Sequence, residues 1–139
     1  MGQTTSIQNI NYEDIQTIIK TPEVFLLINT LPISEQQCLI SNTLNASKEE
    51  ELINEYLNAN RNIRIVIYGK NCNDENVINK CNKLATMGFY NLYCYNGGLF
   101  EWLLLQDIYG TELFPTTKKE IDLLKYKPTS ILNMRLLEY

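Results

Sequence analysis

Two segments of this sequence contain residues that could do chemistry, and the first is centred on Cys72. This thiol precedes Asp74 and Glu75, which suit the positive end of a helix, where the helix dipole favours a thiolate nucleophile. The chain has four cysteines without Cys-x-x-Cys spacing and no histidine. The absence of histidine excludes Ser–His and Cys–His dyads and histidine-ligated metal sites. A nucleophile in this chain would therefore act without an imidazole base.

The second segment is the N-terminus, where Gly2 and Ser6 match the pattern for N-myristoylation. A single acyl chain binds membranes only marginally, and Lys20 is the one basic residue among the first twenty, so no polybasic stretch would assist it. We therefore expect at most a weak, peripheral membrane association through Gly2. The alternative is that residues 1–9 form a flexible, unmodified tail.

The composition is typical of one globular domain. The chain has 139 residues, of which 45% are hydrophobic and 20% charged, and it contains no apolar stretch long enough to span a bilayer. A net charge of −4 without a cluster of Lys or Arg argues against a nucleic-acid partner. The carboxylates do not cluster at metal-ligand spacing, so we expect neither a metal nor a cofactor. Cys81 and Cys94 lie in apolar segments, which favours buried free thiols and a cytoplasmic location.

Strands and helices alternate along the chain, which predicts an α/β fold with a mostly parallel sheet and helices on both faces. The hydrophobic patterns predict helices over residues 12–19, 48–59 (with Ser47 as its cap), 74–87 (ended by Gly88) and 99–109. They predict strands over residues 24–28, 63–68 and 92–95, and a short one near 39–40. We expect one domain over residues 10–110, with residues 111–139 as an extension packed on it.

The order of these elements resembles that of a rhodanese domain. The match to the second half of that domain is the more specific. Its residues are, in order, Ile65-Val66-Ile67-Tyr68 before a loop, then Leu84, Met87-Gly88-Phe89, Asn91-Leu92-Tyr93, and Gly97-Gly98 followed closely by Trp102. In the first half, Leu27-Ile28-Asn29 and residues 38–45 match more weakly, because the usual Asp, His and Gly are missing. The resemblance covers residues 10 to about 105. It is to the divergent rhodanese-like proteins of protists and large DNA viruses, and a viral source would imply association with the virion.

In active rhodaneses, a cysteine at the end of the central strand accepts sulfane sulfur, surrounded by consecutive loop amides and usually an arginine. Counted forward from the strand, that position here is Gly69; counted backward from the following helix, it is Asn71. The two counts differ because this loop is about two residues longer. Neither position is a cysteine, and no arginine occurs between Arg64 and Arg135. The resemblance therefore implies loss of the standard sulfurtransferase activity.

Two functional hypotheses follow. The first is a pseudoenzyme, a binding or regulatory module whose loop amides and helix N-terminus form a concavity for a protein partner or a small anion. The second is a sulfurtransferase or redox enzyme that uses Cys72 as a displaced persulfide-carrying thiol, although the carboxylates of Asp74 and Glu75 disfavour a thiolate there. A phosphatase reaction at this loop would need both the cysteine and the arginine. The residues assigned to the loop are Gly69, Lys70, Asn71, Cys72, Asn73, Asp74, Glu75 and Asn76.

Overall fold

The computed structural model describes residues 6–132, except for the side chain of Ser6. Its elements are, in chain order, β1 (Ser6–Ile10), α1 (Tyr12–Lys20), β2 (Phe25–Asn29), α2 (Ala46–Ala59), β3 (Arg64–Tyr68), α3 (Glu75–Met87), β4 (Asn91–Tyr95) and α4 (Gly98–Tyr109). Short 3-10 helices occupy Ile33–Glu35 and Leu123–Tyr126. The strands form one parallel sheet in the order β1-β4-β3-β2, which confirms the predicted α/β fold. None of the described helices is long and apolar enough to cross a bilayer.

The sheet is covered on both faces because its central strands are apolar on both sides. Alternate residues of β3 point to opposite faces. Val66 and Tyr68 belong to a core with α1, α4 and the C-terminal segment, whereas Ile65 and Ile67 belong to a core with α2 and α3. All four of these side chains are fully buried. This two-sided burial holds the end of β3 in a fixed position between helices.

The local sequence signals predicted most element boundaries to within two residues. Gly88 ends α3 in the left-handed conformation at φ 117°, as its position in the sequence predicts. The expected Ser47 cap is wrong, because α2 begins earlier and Asn45 caps it by accepting a hydrogen bond from the Ser47 amide at 2.9 Å. The expected strand near residues 39–40 is a single antiparallel bridge between Ile40 and Thr116.

Residues 6–9, which the sequence suggested as part of a flexible tail, belong with Ile10 to the edge strand β1. This strand pairs in parallel with β4, Ser6 opposite Asn91 and Ile10 opposite Tyr95. Strand β1 buries little: Ile7 and Ile10 are half-buried, so no clear alternation of apolar and polar residues marks it. Gly2 lies outside the described residues.

The described part of the C-terminal extension packs onto the domain. Phe114 and Tyr126 are buried in the core that contains α4. Trp102 Nε1 donates to the carbonyl of Pro115 at 3.1 Å, and Gln106 Nε2 donates to the carbonyl of Phe114 at 2.8 Å. The extension therefore belongs to the same folded unit as far as Tyr126.

Candidate functional site

The loop 69–76 leaves the carboxyl end of β3 and enters α3, at the edge of a parallel sheet where α/β proteins commonly bind ligands. Neighbouring elements hold both its sides. On one side, the Thr30 amide donates to the Tyr68 carbonyl at 3.0 Å, which ties the end of β2 to the start of the loop. On the other, the first amides of α4, Leu99 and Phe100, donate at 2.9 Å to loop carbonyls. The loop is thereby clamped between β2 and α4.

Gly98 makes the contact between α4 and the loop possible. Its φ is +67°, and a Cβ at this position would lie 2.8 Å from the Gly69 carbonyl oxygen and 2.9 Å from the Asn71 amide nitrogen. A side chain would push the helix away from the loop. The sequence predicted Gly97 and Gly98 only as a turn; the close approach depends on where α4 lies.

The Asp74 carboxylate occupies the concavity of the loop. Its Oδ2 accepts hydrogen bonds from the Lys70 amide at 3.0 Å and from Thr30 Oγ1 at 3.1 Å. Its Oδ1 accepts from the Asn76 amide at 3.0 Å, so that Asp74 is also the N-cap of α3. One carboxylate therefore joins the start of the loop, the end of β2 and the first turn of α3.

Asn71 completes the internal bonding of the loop. Its Oδ1 accepts from the Asn73 amide at 2.9 Å, its carbonyl accepts from the Asp74 amide at 3.2 Å, and its Nδ2 donates to the Tyr126 carbonyl at 2.8 Å. Together with the bonds to Asp74, these satisfy the backbone amides of Lys70, Asn73, Asp74 and Asn76 within the chain. The sequence predicted these amides as donors for a bound anion, whereas the structure gives four of them an internal acceptor.

Gly69 and Asn71, the two positions that correspond to the rhodanese nucleophile, are not placed to carry a reactive side chain. A Cβ on Gly69 would lie 2.3 Å from Asp74 Oδ2 and 2.7 Å from Val77 Cγ2, so a cysteine there requires the carboxylate to move. The other position, Asn71, uses its side chain to hold the loop to the C-terminal extension. Asn29, which stands where the resemblance puts an aspartate, is buried and accepts from the Leu31 amide at 3.0 Å. Its role is to shape the turn after β2.

Cys72 lies on the solvent side of the loop. It is an exposed free thiol, and its Sγ contacts Asn73 Oδ1 at 3.8 Å. The nearest basic residue in the sequence, Lys70, pairs instead with Glu35, at 3.1 Å between Nζ and Oε1. The structure therefore brings Cys72 together with asparagines and leaves it without an ion-pair partner among the described residues.

An open groove of about 910 Å³ runs along the loop. Isoleucines at its rim are largely exposed, Ile78 by 53% and Ile131 by 58%. Its remaining lining comes from the loop residues 70–76 and from Thr30, Pro32, Asn79 and Thr129. No group of three or more cysteine, aspartate or glutamate side chains within residues 6–132 is placed to hold a metal ion. The groove combines amide, hydroxyl and charged groups with the apolar side chains of a proline and two isoleucines.

Comparison with known proteins extends these observations. The family model described as "Rhodanese-like domain" matches residues 13–105. No curated protein matches the sequence. Among solved structures, the rhodanese-like domain of the Anabaena sp. protein Alr3790 is similar with a TM-score of 0.55 and 21% identity, covering 88% of this chain and 86% of that one.

A second similar structure is that of Saccharomyces cerevisiae Ygr203w, described as a homolog of single-domain rhodanese and of the Cdc25 phosphatase catalytic domain. Its TM-score is 0.57 at 12% identity, covering 84% of this chain and 91% of that one. Another structure of Ygr203w, described as a yeast protein tyrosine phosphatase of the rhodanese family, gives a TM-score of 0.56 at 14% identity, covering 87% and 99%. These similarities support the shared fold.

Proposed function

The chain belongs to the rhodanese-like domain family, and we propose that it is a non-catalytic binding module whose loop 69–76 and adjoining groove receive a segment of a partner protein. One observation carries this proposal: the chain's own Asp74 carboxylate fills the concavity of the loop. In an active rhodanese, that concavity holds the sulfur-carrying cysteine and its anionic substrate. Here the carboxylate repels an anion, and four of the loop amides that would bind it are already engaged.

The alternative is that Cys72 carries a persulfide. Its exposure and its place just before α3 favour this hypothesis, since a thiol must be accessible to react. Against it, the amide of Asn73 bonds to Asn71, and Lys70 pairs with Glu35, so these donors do not converge on the sulfur. The phosphatase alternative lacks both its cysteine at the strand end and its arginine in the loop.

The groove suits a polypeptide because it offers amide groups beside exposed apolar side chains. Asn73, Asn76 and Asn79 can donate to and accept from a peptide backbone. Ile78 and Ile131 would bury apolar surface against a partner. A short extended segment with apolar side chains on one side matches this pattern.

Catalysis is tested with thiosulfate and cyanide and with a persulfide trap on the wild-type protein and on Cys72→Ser. We expect no turnover and no persulfide adduct in either protein. Turnover that is lost in Cys72→Ser would refute the non-catalytic function. A titration of thiosulfate followed by amide chemical shifts tests the small anion: shifts at Lys70 and Asn76 in the wild type would favour it over a protein partner.

Binding is tested by photo-crosslinking in the host cell. A photoreactive amino acid replaces Ile78 at the groove rim, and in a matched control it replaces Ile108 of α4, which is 69% exposed and does not line the groove. We expect one protein to crosslink at position 78 and not at position 108. Equal crosslinking at both positions, or none at either, would contradict a partner site in the groove.

We also propose that Gly2 carries a myristoyl group in a eukaryotic host, because residues 1–6 match the acylation pattern. Strand β1 begins beside Asn91, the first residue of β4, whereas the loop 69–76 follows the last residue of β3. In a parallel sheet these are opposite ends of the strands, so the first described residue of β1 lies away from the loop. Mass spectrometry of the native N-terminus tests myristoylation of Gly2, with Gly2→Ala as control. An unmodified Gly2 in the wild-type protein would refute it.

A further inference from the structure

Two cysteines that the loop does not use, Cys81 of α3 and Cys94 of β4, meet in the core. Both are fully buried, and their sulfur atoms lie 2.8 Å apart. This is closer than the roughly 3.5–4.0 Å that non-bonded carbon atoms keep. A disulfide bond would need the sulfurs to approach to about 2.05 Å, less than one further ångström. The pair is thus already almost within bonding distance.

The surroundings of the pair set it apart from the loop. Cys81 and Cys94 belong to the apolar core between the sheet and helices α2 and α3. The hydrogen bond that they share is the one polar contact recorded for their thiols among the described residues. This contact lowers the pKa of Cys94, and the same contact, together with burial, raises the pKa of Cys81. Either thiol can be the donor in this contact. The lowered pKa favours Cys94 as the attacking thiolate.

We propose that Cys81 and Cys94 are a redox pair that a hydroperoxide converts into an intramolecular disulfide joining α3 to β4. The Cys94 thiolate attacks the peroxide, the O–O bond breaks, and Cys94 becomes a sulfenic acid while the other oxygen leaves as water or alcohol after taking a proton. The Cys81 sulfur then attacks the Cys94 sulfur, the S–O bond breaks, and its oxygen leaves as water with the Cys81 proton. Two electrons pass from the thiols to the peroxide.

Burial controls the rate of this reaction. Neither sulfur is accessible in the closed structure, so the peroxide reaches Cys94 only when α3 moves away from β4. We expect the pair to react much more slowly than the exposed Cys72. Once formed, the disulfide ties α3 to β4 and restricts the movement by which it formed. Because the loop 69–76 runs into α3, oxidation also restrains one end of the groove.

The experiment uses the full chain with Cys72→Ser, which removes the exposed thiol and leaves the core unchanged. The folded protein is treated with hydrogen peroxide, quenched, denatured, alkylated and digested for mass spectrometry. We expect a monomer lighter by two hydrogens, a single linked peptide pair containing Cys81 and Cys94, and an alkylated Cys38. The same treatment in concentrated urea provides the control, where Cys38 should also appear in linked peptides.

Either of two outcomes would overturn the proposal. These are full alkylation of both cysteines after treatment, or the same mixture of pairings in folded and urea-treated protein. A second variant tests the order of the steps: with Cys81→Ser added, Cys94 should accumulate as a sulfenic acid that dimedone traps. If this variant does not fold, the pattern of linked peptides in the Cys72→Ser protein still shows whether Cys81 and Cys94 form the disulfide. Oxidation should also raise the thermal midpoint, reversibly with a thiol reductant, and a lower midpoint would contradict the fit of the bond to the native geometry.

Discussion

Replacing Asp74 by alanine tests the central feature of the loop, because this one carboxylate accepts three hydrogen bonds. The bond to the Asn76 amide is an N-cap, whose loss typically costs about 1 kcal/mol. The bonds from the Lys70 amide and Thr30 Oγ1 join a charged acceptor, which contributes roughly 1.5–3 kcal/mol per bond. These two bonds share one partly exposed oxygen, Asp74 Oδ2, so their contributions to stability are not additive. We therefore expect Asp74→Ala to lower the free energy of unfolding by about 3 kcal/mol.

Urea denaturation measures this change, and for a slope of about 1–3 kcal/mol per molar the midpoint should fall by more than ~1 M. Asp74→Asn separates the helix-capping bond from the bonds to the start of the loop. Asparagine caps a helix as effectively as aspartate, but it has only one side-chain oxygen, so it cannot accept from the Asn76 and Lys70 amides with different atoms. It should cost about 1–2 kcal/mol. Asp122→Ala is the matched control, because Asp122 is exposed and makes no capping bond, and it should stay within about 0.5 kcal/mol. If Asp74→Ala is as mild as this control, the carboxylate does not hold the loop and our reasoning is wrong.

Two further predictions concern backbone geometry and pH. Gly98→Ala should cost about 3 kcal/mol, because it adds a contact of 2.8 Å with the Gly69 carbonyl to the strain of a positive φ. Gly88→Ala, also at positive φ but facing only the flexible Arg61 side chain at 3.3 Å, should cost only about 1–2 kcal/mol. Equal losses of stability in urea would show that α4 does not press on the loop. Burial raises the pKa of the Tyr68 and Tyr95 hydroxyls above that of an unfolded tyrosine, so both must stay protonated in the fold. Stability should therefore be complete below about pH 10 and fall above it, and less steeply in Tyr68→Phe; an unchanged slope in that variant would contradict this assignment.

The regular elements between residues 63 and 110 follow from local physical chemistry, and the sequence predicts them well. A β-branched run makes β3, an acidic first turn and a terminal Gly88 delimit α3, and Gly110 ends α4. Each signal lies within a few residues of the structure that it specifies. The absence of a cysteine at the strand end and of an arginine in the loop is equally a matter of sequence.

Other features could not be predicted because they depend on residues that are distant in the chain. Strand β1 is recognisable only beside β4, since as an edge strand it buries too little to show an apolar pattern. The local sequence identifies Asp74 only as a helix cap. Its hydrogen bond with Thr30, 44 residues away, forms because β2 lies beside β3. The contact of Cys81 with Cys94 likewise requires α3 to pack on β4.

For the loop itself, the sequence alone determined which reactive groups are present and which are missing. No nucleophile directly follows Tyr68, Cys72 occurs later in the loop, and the loop contains no arginine. Only the tertiary structure decided what fills the concavity. Loop amides can serve a ligand or the chain itself, and the choice depends on whether a side chain reaches them. The packing of α3 against β3 directs Asp74 back across Gly69, so the chain's own carboxylate accepts from the loop.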